Sequence, residues 1–222
     1  MSLVCACDLL DQMTSLPSAC LEDLGVPVKL ILHRTKNPSG TVYAFDASDT
    51  AGTDVDDPTT ITFWNVYTGT TADTPDETKF IPTPIIHAVE MSGGEPREYG
   101  GGNATRGGIP IVRGSEFVQV NGEFLRVNQQ LITVLKTYSC EDGNLSAFFV
   151  HEGGQISGIV DSQSSPTTFR GFPIQSWHVG DKMMGQRDGI DKNMVRFSLE
   201  EDYSNLLYAF NPAGTFNPVT DL

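Results

Sequence analysis

The sequence predicts a mainly β (α+β) fold, a β-sandwich or partial barrel with one flanking helix and a long glycine-rich hairpin arm. The 22 Gly and 13 Pro among 222 residues indicate many turns. Segments rich in Val, Ile, Thr and Phe lie between those turns and have the composition of short strands. Hydrophobic residues make up 39% of the chain, enough for the core of a single domain over residues 1–222.

The first third of the chain combines a terminal arm with two predicted strands. Residues 1–25 are predicted as an N-terminal arm with a short helical turn that stops at a glycine. Residues 28–34 form a nearly continuous apolar run, which indicates a central strand. Residues 48–58 read as an acidic surface loop, and residues 60–67 consist of strand-forming types and predict a strand.

The middle of the chain contains its most unusual stretch. Pro82 and Pro84 cannot donate to a ladder, so we expect an edge or bend there and a strand over residues 85–90. Residues 91–108 contain seven glycines, which predicts a hairpin tip or arm. The strands on either side of it are expected to belong to one sheet.

One helix is predicted, over residues 126–138. Leu131, Ile132 and Leu135 share the three-to-four spacing of one apolar face. Asn128 is a plausible N-terminal cap, and a turn follows the helix.

The last third is predicted as strands followed by a terminal arm. Residues 147–151 and 156–160 form a hairpin across a glycine-containing loop, and residues 172–179 form another strand. Residues 194–200 alternate cleanly, so Val195, Phe197 and Leu199 are expected on one face. Residues 203–222 are predicted as a C-terminal arm.

The charge balance restricts the partners. The chain has 14 Lys and Arg against 28 Asp and Glu, a net charge of −14. Nucleic acid and anionic membrane surfaces would be repelled by most of this surface, which disfavours a protein that grips either. The same charge suits a protein that lets a polyanion slide past, and equally one kept dispersed by self-repulsion.

We predict no catalytic residue, cofactor or metal. The four cysteines (Cys5, Cys7, Cys20, Cys140) are expected as reduced, half-buried thiols or an adventitious pair, since no His lies near the Cys-x-Cys. The four histidines are scattered, and each is expected as a surface or edge residue. We expect neither a signal peptide nor a membrane span.

A carbohydrate-binding module and a hydrolase are two further function classes, and each requires a particular placement of residues. Trp64 and Trp177 could form a carbohydrate-binding platform, which requires that they be exposed; most aromatic residues are expected in the core or an interface instead. A hydrolase would need a cleft that collects residues distant in sequence. The acidic run at 200–202 cannot supply one by itself, because neighbouring strand residues point to opposite faces.

Four segments carry a family resemblance. They are the opening "CDLLDQMTSLPSACLEDLGVPVKLILHR", the arm "SGGEPREYGGGNATRGGIPIV", the helix "QQLITVLKTYSC" leading into "LSAFFVHEGGQISGI", and the ending "VRFSLEEDYSNLLYAFNPAGTFNPVTDL". Together they resemble the major tail tube proteins of phages, particularly those of Bacteroidetes-type hosts.

The resemblance implies a virion structural protein of the phage tail, made in the host cytoplasm. It implies self-assembly into rings of six that stack into a tube, contacts with other virion proteins, and an anionic lumen through which DNA passes without tight binding. Carried onto this sequence, it predicts these inter-subunit contact residues: Leu16, Pro17, Gly93, Gly94, Glu95, Pro96, Arg97, Tyr99, Asn103, Arg106, Phe210 and Phe216. A capsid decoration or head-fibre protein and a carbohydrate-binding module remain the alternatives.

Overall fold

The computed structural model describes residues 24–36, 39–46, 58–68, 79–101, 109–141, 143–162, 166–185 and 189–222. Its strands are β1 (Pro27–Arg34), β2 (Phe45–Asp46), β3 (Ile81–Pro82), β4 (Ile86–Ser92), β5 (Pro96–Gly100), β6 (Pro110–Ser115), β7 (Val118–Leu125), β8 (Leu145–His151), β9 (Ile156–Val160), β10 (Thr168–Arg170), β11 (Phe172–Val179), β12 (Lys192–Leu199) and β13 (Leu207–Phe210). Its helices are α1 (Ile61–Tyr67), α2 (Gln129–Thr137) and α3 (Pro218–Asp221), with 3₁₀ turns at Tyr138–Glu141 and Tyr203–Leu206. The predicted mainly β class is confirmed.

Six antiparallel strands form the main body, in the order β1-β8-β11-β12-β7-β4. β1 and β4, at the two ends of this path, lie close to one another, so the sheet curls into a partial barrel. All six strands contribute to one core inside the curl, whose members include Leu30, Ile86, Phe124, Phe149, Phe172, Val195 and Phe197. Val195, Phe197 and Leu199 are all buried, which confirms the predicted alternation of β12.

A second core covers the opposite face of β1 and β8. Ile31 and Phe148 point into it, away from the barrel interior. Phe63 and Trp64 of α1 cover it from outside, together with Phe80, Phe169 and the C-terminal segment. β8 is therefore buried along its whole length and β1 nearly so, which explains why both read as continuous apolar runs and confirms that the first strand is central.

The predicted strand at residues 60–67 is wrong, because this segment is the helix α1. The Thr60 side chain accepts a hydrogen bond from the Phe63 N–H and so caps the helix start. Burial of Phe63 and Trp64 against β8 outweighs the strand preference of the residue types. The chain thus has α1 and α2 packed on the sheets, not the single flanking helix predicted.

The predicted helix is confirmed as α2, over shorter bounds. The Asn128 side chain accepts from the Gln130 N–H at 2.9 Å, as its predicted capping role requires. Ile132 and Leu135 are fully buried, whereas Leu131 is 37% exposed, so the apolar face is narrower than predicted. The indole of Trp177 donates to the Leu135 carbonyl at 2.8 Å and ties α2 to β11.

The remaining strand predictions are confirmed. β8 and β9 form the predicted hairpin, and β11 matches its predicted bounds. Pro82 lies in the two-residue strand β3 at the edge of β1, as expected for a residue without an N–H. β4 and β7, which flank the glycine-rich stretch, pair with one another and so belong to one sheet.

Candidate assembly surface

The glycine-rich stretch forms a two-stranded hairpin separate from the main sheet in the part of the chain that the structure describes. β5 and β6 pair with each other in an antiparallel ladder, from Pro96 opposite Ser115 to Gly100 opposite Pro110. The predicted bounds, 91–108, are shifted: residues 91–92 end β4, and the returning strand runs on to Ser115. We call residues 96–115 the arm.

The arm leaves the body through a tight crossing. Gly93 has φ +104°, and a Cβ there would lie 2.3 Å from the Phe117 carbonyl oxygen, so only glycine fits without displacement. The Glu95 carbonyl accepts from the Glu116 N–H at 2.8 Å and closes the base. The glycine-rich stretch thus contains a hairpin, and the backbone crossing requires glycine at position 93.

Two contacts hold the base of the arm against the turn that follows β12. Arg97 forms an ion pair with Glu201, at 3.0 Å between Nη2 and Oε1. The Ser115 hydroxyl donates to Asp202 at 3.4 Å. Both contacts are exposed, where a single ion pair contributes at most about 1 kcal/mol. They orient the arm but do not cover it.

The outer part of the arm exposes large apolar side chains. Tyr99, Ile111 and Val112 are 53%, 53% and 58% exposed, and Ile109 is 70% exposed. The Arg113 guanidinium lies 4.3 Å from the centre of the Tyr99 ring, a cation–π contact. A two-stranded hairpin alone is marginally stable in water, so this arm gains from any surface that covers it.

The arm differs in charge from the rest of the chain. Residues 96–115 contain three Arg and one Glu, a net charge of +2, and the remaining residues carry −16. The arm is therefore attracted to the surface of another copy of this chain more than to a basic or neutral one.

The predicted contact residues fall into three groups. Gly93, Gly94, Glu95, Pro96, Arg97 and Tyr99 lie at the base or on the first strand of the arm. Leu16, Pro17, Asn103 and Arg106 lie outside the described residues. Phe210 and Phe216 pack against the second core of their own chain.

The C-terminal segment, predicted as an arm over residues 203–222, docks onto its own domain. β13 pairs with β9 from Leu207 to Phe210. Lys29 is only 8% exposed as a residue. Its ammonium group donates to the Leu222 carbonyl at 2.8 Å and to the Val219 carbonyl at 3.3 Å. Burial lowers the pKa of Lys29. The segment is part of the fold, and a contact from it to a neighbour stays a prediction.

A second exposed apolar surface was not predicted from the sequence. It lies in the connection between β11 and β12, where Met183 is 44%, Met184 84% and Ile190 43% exposed. Met183 and Lys192 exchange backbone hydrogen bonds of 2.8 and 3.0 Å, and the Asp191 carboxylate accepts from the Gly185 N–H. These hydrogen bonds join the two described ends of the connection, residues 183–185 and 191–192. The adjacent methionines Met183 and Met184 are the sequence signal that could have indicated this surface.

Two histidines are buried, so their prediction as surface or edge residues is wrong. His33 is 3% exposed between the rings of Phe80 and Phe148, and its Nδ1 lies 2.7 Å from the Arg34 carbonyl oxygen. Burial lowers the pKa of His33 to about 4, against the opposing effect of that carbonyl. His151 is also buried, and desolvation lowers its pKa. His87 and His178 are exposed, as predicted.

Among the described residues, one histidine lies within hydrogen-bond distance of a serine hydroxyl. His151 Nε2 lies 2.7 Å from Ser157 Oγ, and His151 Nδ1 lies 3.2 Å from the Gly25 carbonyl oxygen. Ser157 is fully buried, so this pair offers a substrate no access. We interpret it as a satisfied polar contact between β8 and β9.

Three further candidate sites are a cavity beside Tyr138, the two tryptophans and Cys140. A cavity of about 300 Å³ lies beside Tyr138 and is bordered by the ion pair of Arg34 with Glu141. Trp64 and Trp177 are 0% and 3% exposed, so a carbohydrate platform built on either is ruled out. Cys140 is exposed, not half-buried as predicted, and the other cysteines lie outside the described residues.

The described residues show no group of three or more His, Cys, Asp or Glu placed to hold a metal ion. Among the described helices, none has the length and apolar character needed to cross a bilayer. No protein-family model, curated protein or solved structure matches this chain.

Proposed function

We propose that this protein is a virion structural protein that assembles with copies of itself into the stacked rings of a phage tail tube, through which DNA passes. The observation that carries the proposal is the arm. Its apolar side chains Tyr99, Ile111 and Val112 are more than half exposed on a hairpin paired only within itself among the described residues. An exposed apolar patch of this kind on a folded domain supports a role as a protein interface.

The charge of the molecule supports a copy of itself as the partner. A basic arm of net +2 meets an acidic surface on every copy, because the rest of the chain carries −16. The same acidic surface, arranged around a hole, would repel DNA along its path and prevent it from adhering. Ring closure would also cover the free edges of an open sheet.

Negative-stain electron microscopy combined with light scattering tests the proposal. The purified protein is expected to form six-membered rings or tubes, and its mass should rise with concentration. A discrete trimer without a continuous hole would indicate the alternative of a capsid decoration protein. A particle that stays monomeric at every concentration would contradict self-assembly altogether.

A further inference from the structure

The cavity beside Tyr138 is built where three strands meet the 3₁₀ turn that follows α2. Its volume is about 300 Å³. In the sheet, Leu32 of β1 lies opposite Ile81 of β3, and Arg34 of β1 lies opposite Leu145 of β8. Residues opposite one another in a ladder share a face, so the register brings these four side chains to the cavity together.

The cavity is bordered by hydrogen-bond donors that are still available. Lys79, two residues before Ile81, forms no hydrogen bond or ion pair with its ammonium among the described residues. The Tyr138 hydroxyl has no hydrogen-bond partner among them either. Burial and, to a smaller extent, the charge of Glu141 raise the pKa of Tyr138, against the opposing effect of Arg34. The phenol therefore stays protonated at neutral pH and can donate.

The lining of the cavity is positively charged, although the whole chain carries −14. Arg34 and Lys79 contribute +2 and Glu141 contributes −1, which leaves a net charge of +1. His33, which also borders the cavity, is uncharged at neutral pH because burial lowers its pKa to about 4. An anion of charge −1 would balance this lining. A dianion would leave an uncompensated charge beside buried apolar side chains.

The remaining lining suits an apolar body. Leu32 and Leu145 are 1% and 4% exposed, and Ile81 packs against the same core. The Arg34 guanidinium donates to both carboxylate oxygens of Glu141, at 3.1 and 2.5 Å, so this pair forms a fixed wall. An apolar cavity of about 150 Å³ binds benzene. A cavity of about 300 Å³ therefore has space for one ring and a carboxylate.

We infer that this cavity binds a small organic monocarboxylate with an apolar body about the size of a benzene ring. The ligand carboxylate accepts from the Lys79 ammonium and the Tyr138 hydroxyl, and the apolar body packs on Leu32, Ile81 and Leu145. Few polar groups around an apolar floor are typical of small-molecule sites. The site lies within one chain, so the inference goes beyond the proposed assembly and does not depend on it.

Three probes that share one ring test the inference on the full chain. They are benzoate, the neutral benzyl alcohol, and phenyl phosphate, which is mainly a dianion at neutral pH. Ligand-observed NMR titrations measure their dissociation constants whether the protein is single or assembled. Benzoate is expected to bind in the millimolar range or tighter, as is usual for so small a ligand. It should bind at least tenfold more tightly than either of the other probes.

Four variants assign the binding to the cavity. Lys79→Met removes the ammonium and should weaken benzoate binding at least tenfold, and Tyr138→Phe should weaken it severalfold. Lys36→Met is the matched control: this lysine is exposed near the same end of β1 but does not border the cavity, so benzoate binding should be unchanged. Glu141→Gln raises the charge of the lining to +2. In that variant phenyl phosphate should bind at least as tightly as benzoate.

Each other outcome overturns the inference. Equal binding of benzoate and benzyl alcohol would show that the cavity does not recognise charge. An equal loss in Lys36→Met and Lys79→Met would show attraction to the surface in general. If Lys79→Met does not fold, an unchanged preference for benzoate in both Tyr138→Phe and Glu141→Gln would contradict the site. Absence of benzoate binding would remove the inference and leave the proposed assembly standing, whereas benzoate binding by a protein that never assembles would do the reverse.

Discussion

At the scale of single residues, the most unusual group is the buried imidazole of His33. It lies among the rings of Phe45, Phe80 and Phe148, and its Nε2 has no hydrogen-bond partner. An ideal Cβ on Gly171 would lie 2.4 Å from that nitrogen, so no room is left for a bridging water on that side. Protonation would place a charge in this aromatic environment without a counter-ion in contact with Nε2.

The free energy of unfolding is therefore expected to fall as the pH is lowered from 6.5 to 4. In the native state burial lowers the pKa of His33 to about 4, while the unfolded chain titrates near the ordinary value of 6.5. The unfolded state thus binds more protons than the native state between pH 4 and 6.5. The full contribution of His33 to the free energy of unfolding is present above pH 6.5. The full shift corresponds to roughly 3 kcal/mol. Urea unfolding at several pH values measures this effect. Between pH 6.5 and 4 the free energy of unfolding should fall less in His33→Phe than in the wild type.

The matched control for this prediction is the exposed His87. His87→Gln should keep the wild-type dependence on pH, because its side chain reaches solvent in both states. Burial also lowers the pKa of His151. The free energy of unfolding of His33→Phe should therefore still depend on pH, but less steeply than that of the wild type. An identical slope in wild type and His33→Phe would contradict the account of His33 given above.

At the scale of elements, the base of the arm depends on one backbone crossing. Gly93→Ala is expected to destabilise this base by roughly 1–3 kcal/mol, since it combines a positive φ with a collision against the Phe117 carbonyl. Gly101→Ala is the matched control, because Gly101 has a similar φ of +99° and open space at its Cβ. Hydrogen exchange of β5 and β6 amides should rise far more in the Gly93 variant. Equal exchange in both variants would mean that the crossing does not hold the arm.

The elements also show what the sequence could and could not predict. β12 and the β8–β9 hairpin were predictable because alternation and a glycine turn are local signals. α1 was not, because its residue types favour strands and its helical form depends on burial against β8. A signal was nevertheless present: Phe63, Trp64 and Tyr67 have helical spacing and do not alternate. The glycine-rich composition predicted a hairpin near residues 91–108, whereas the exposure of Met183 and Met184 depends on how the ends of β11 and β12 are placed.

At the scale of the whole molecule, two properties combine: the exposed apolar surfaces of the arm and of the β11–β12 connection, and a net charge of −14. The net charge opposes the proposed assembly, because copies of −14 repel one another, and the attraction of the +2 arm to the acidic remainder acts only within about 8 Å at physiological salt. The proposed assembly would therefore draw its affinity from apolar area that becomes buried between copies.

The assembled wild-type protein is expected to leave duplex DNA free in solution at about 0.15 M salt, since nucleic acid binding needs phosphate neutralisation by Lys and Arg that this chain supplies sparsely. Fluorescence anisotropy of a labelled duplex, titrated with protein, measures this binding. Arg97→Glu with Arg113→Glu changes the charge of the described part of the arm from +1 to −3 and should give the same flat titration. Saturable binding by the wild type that is lost in this double variant would show that the arm binds DNA. It would contradict the proposal that DNA passes an acidic wall without binding to it.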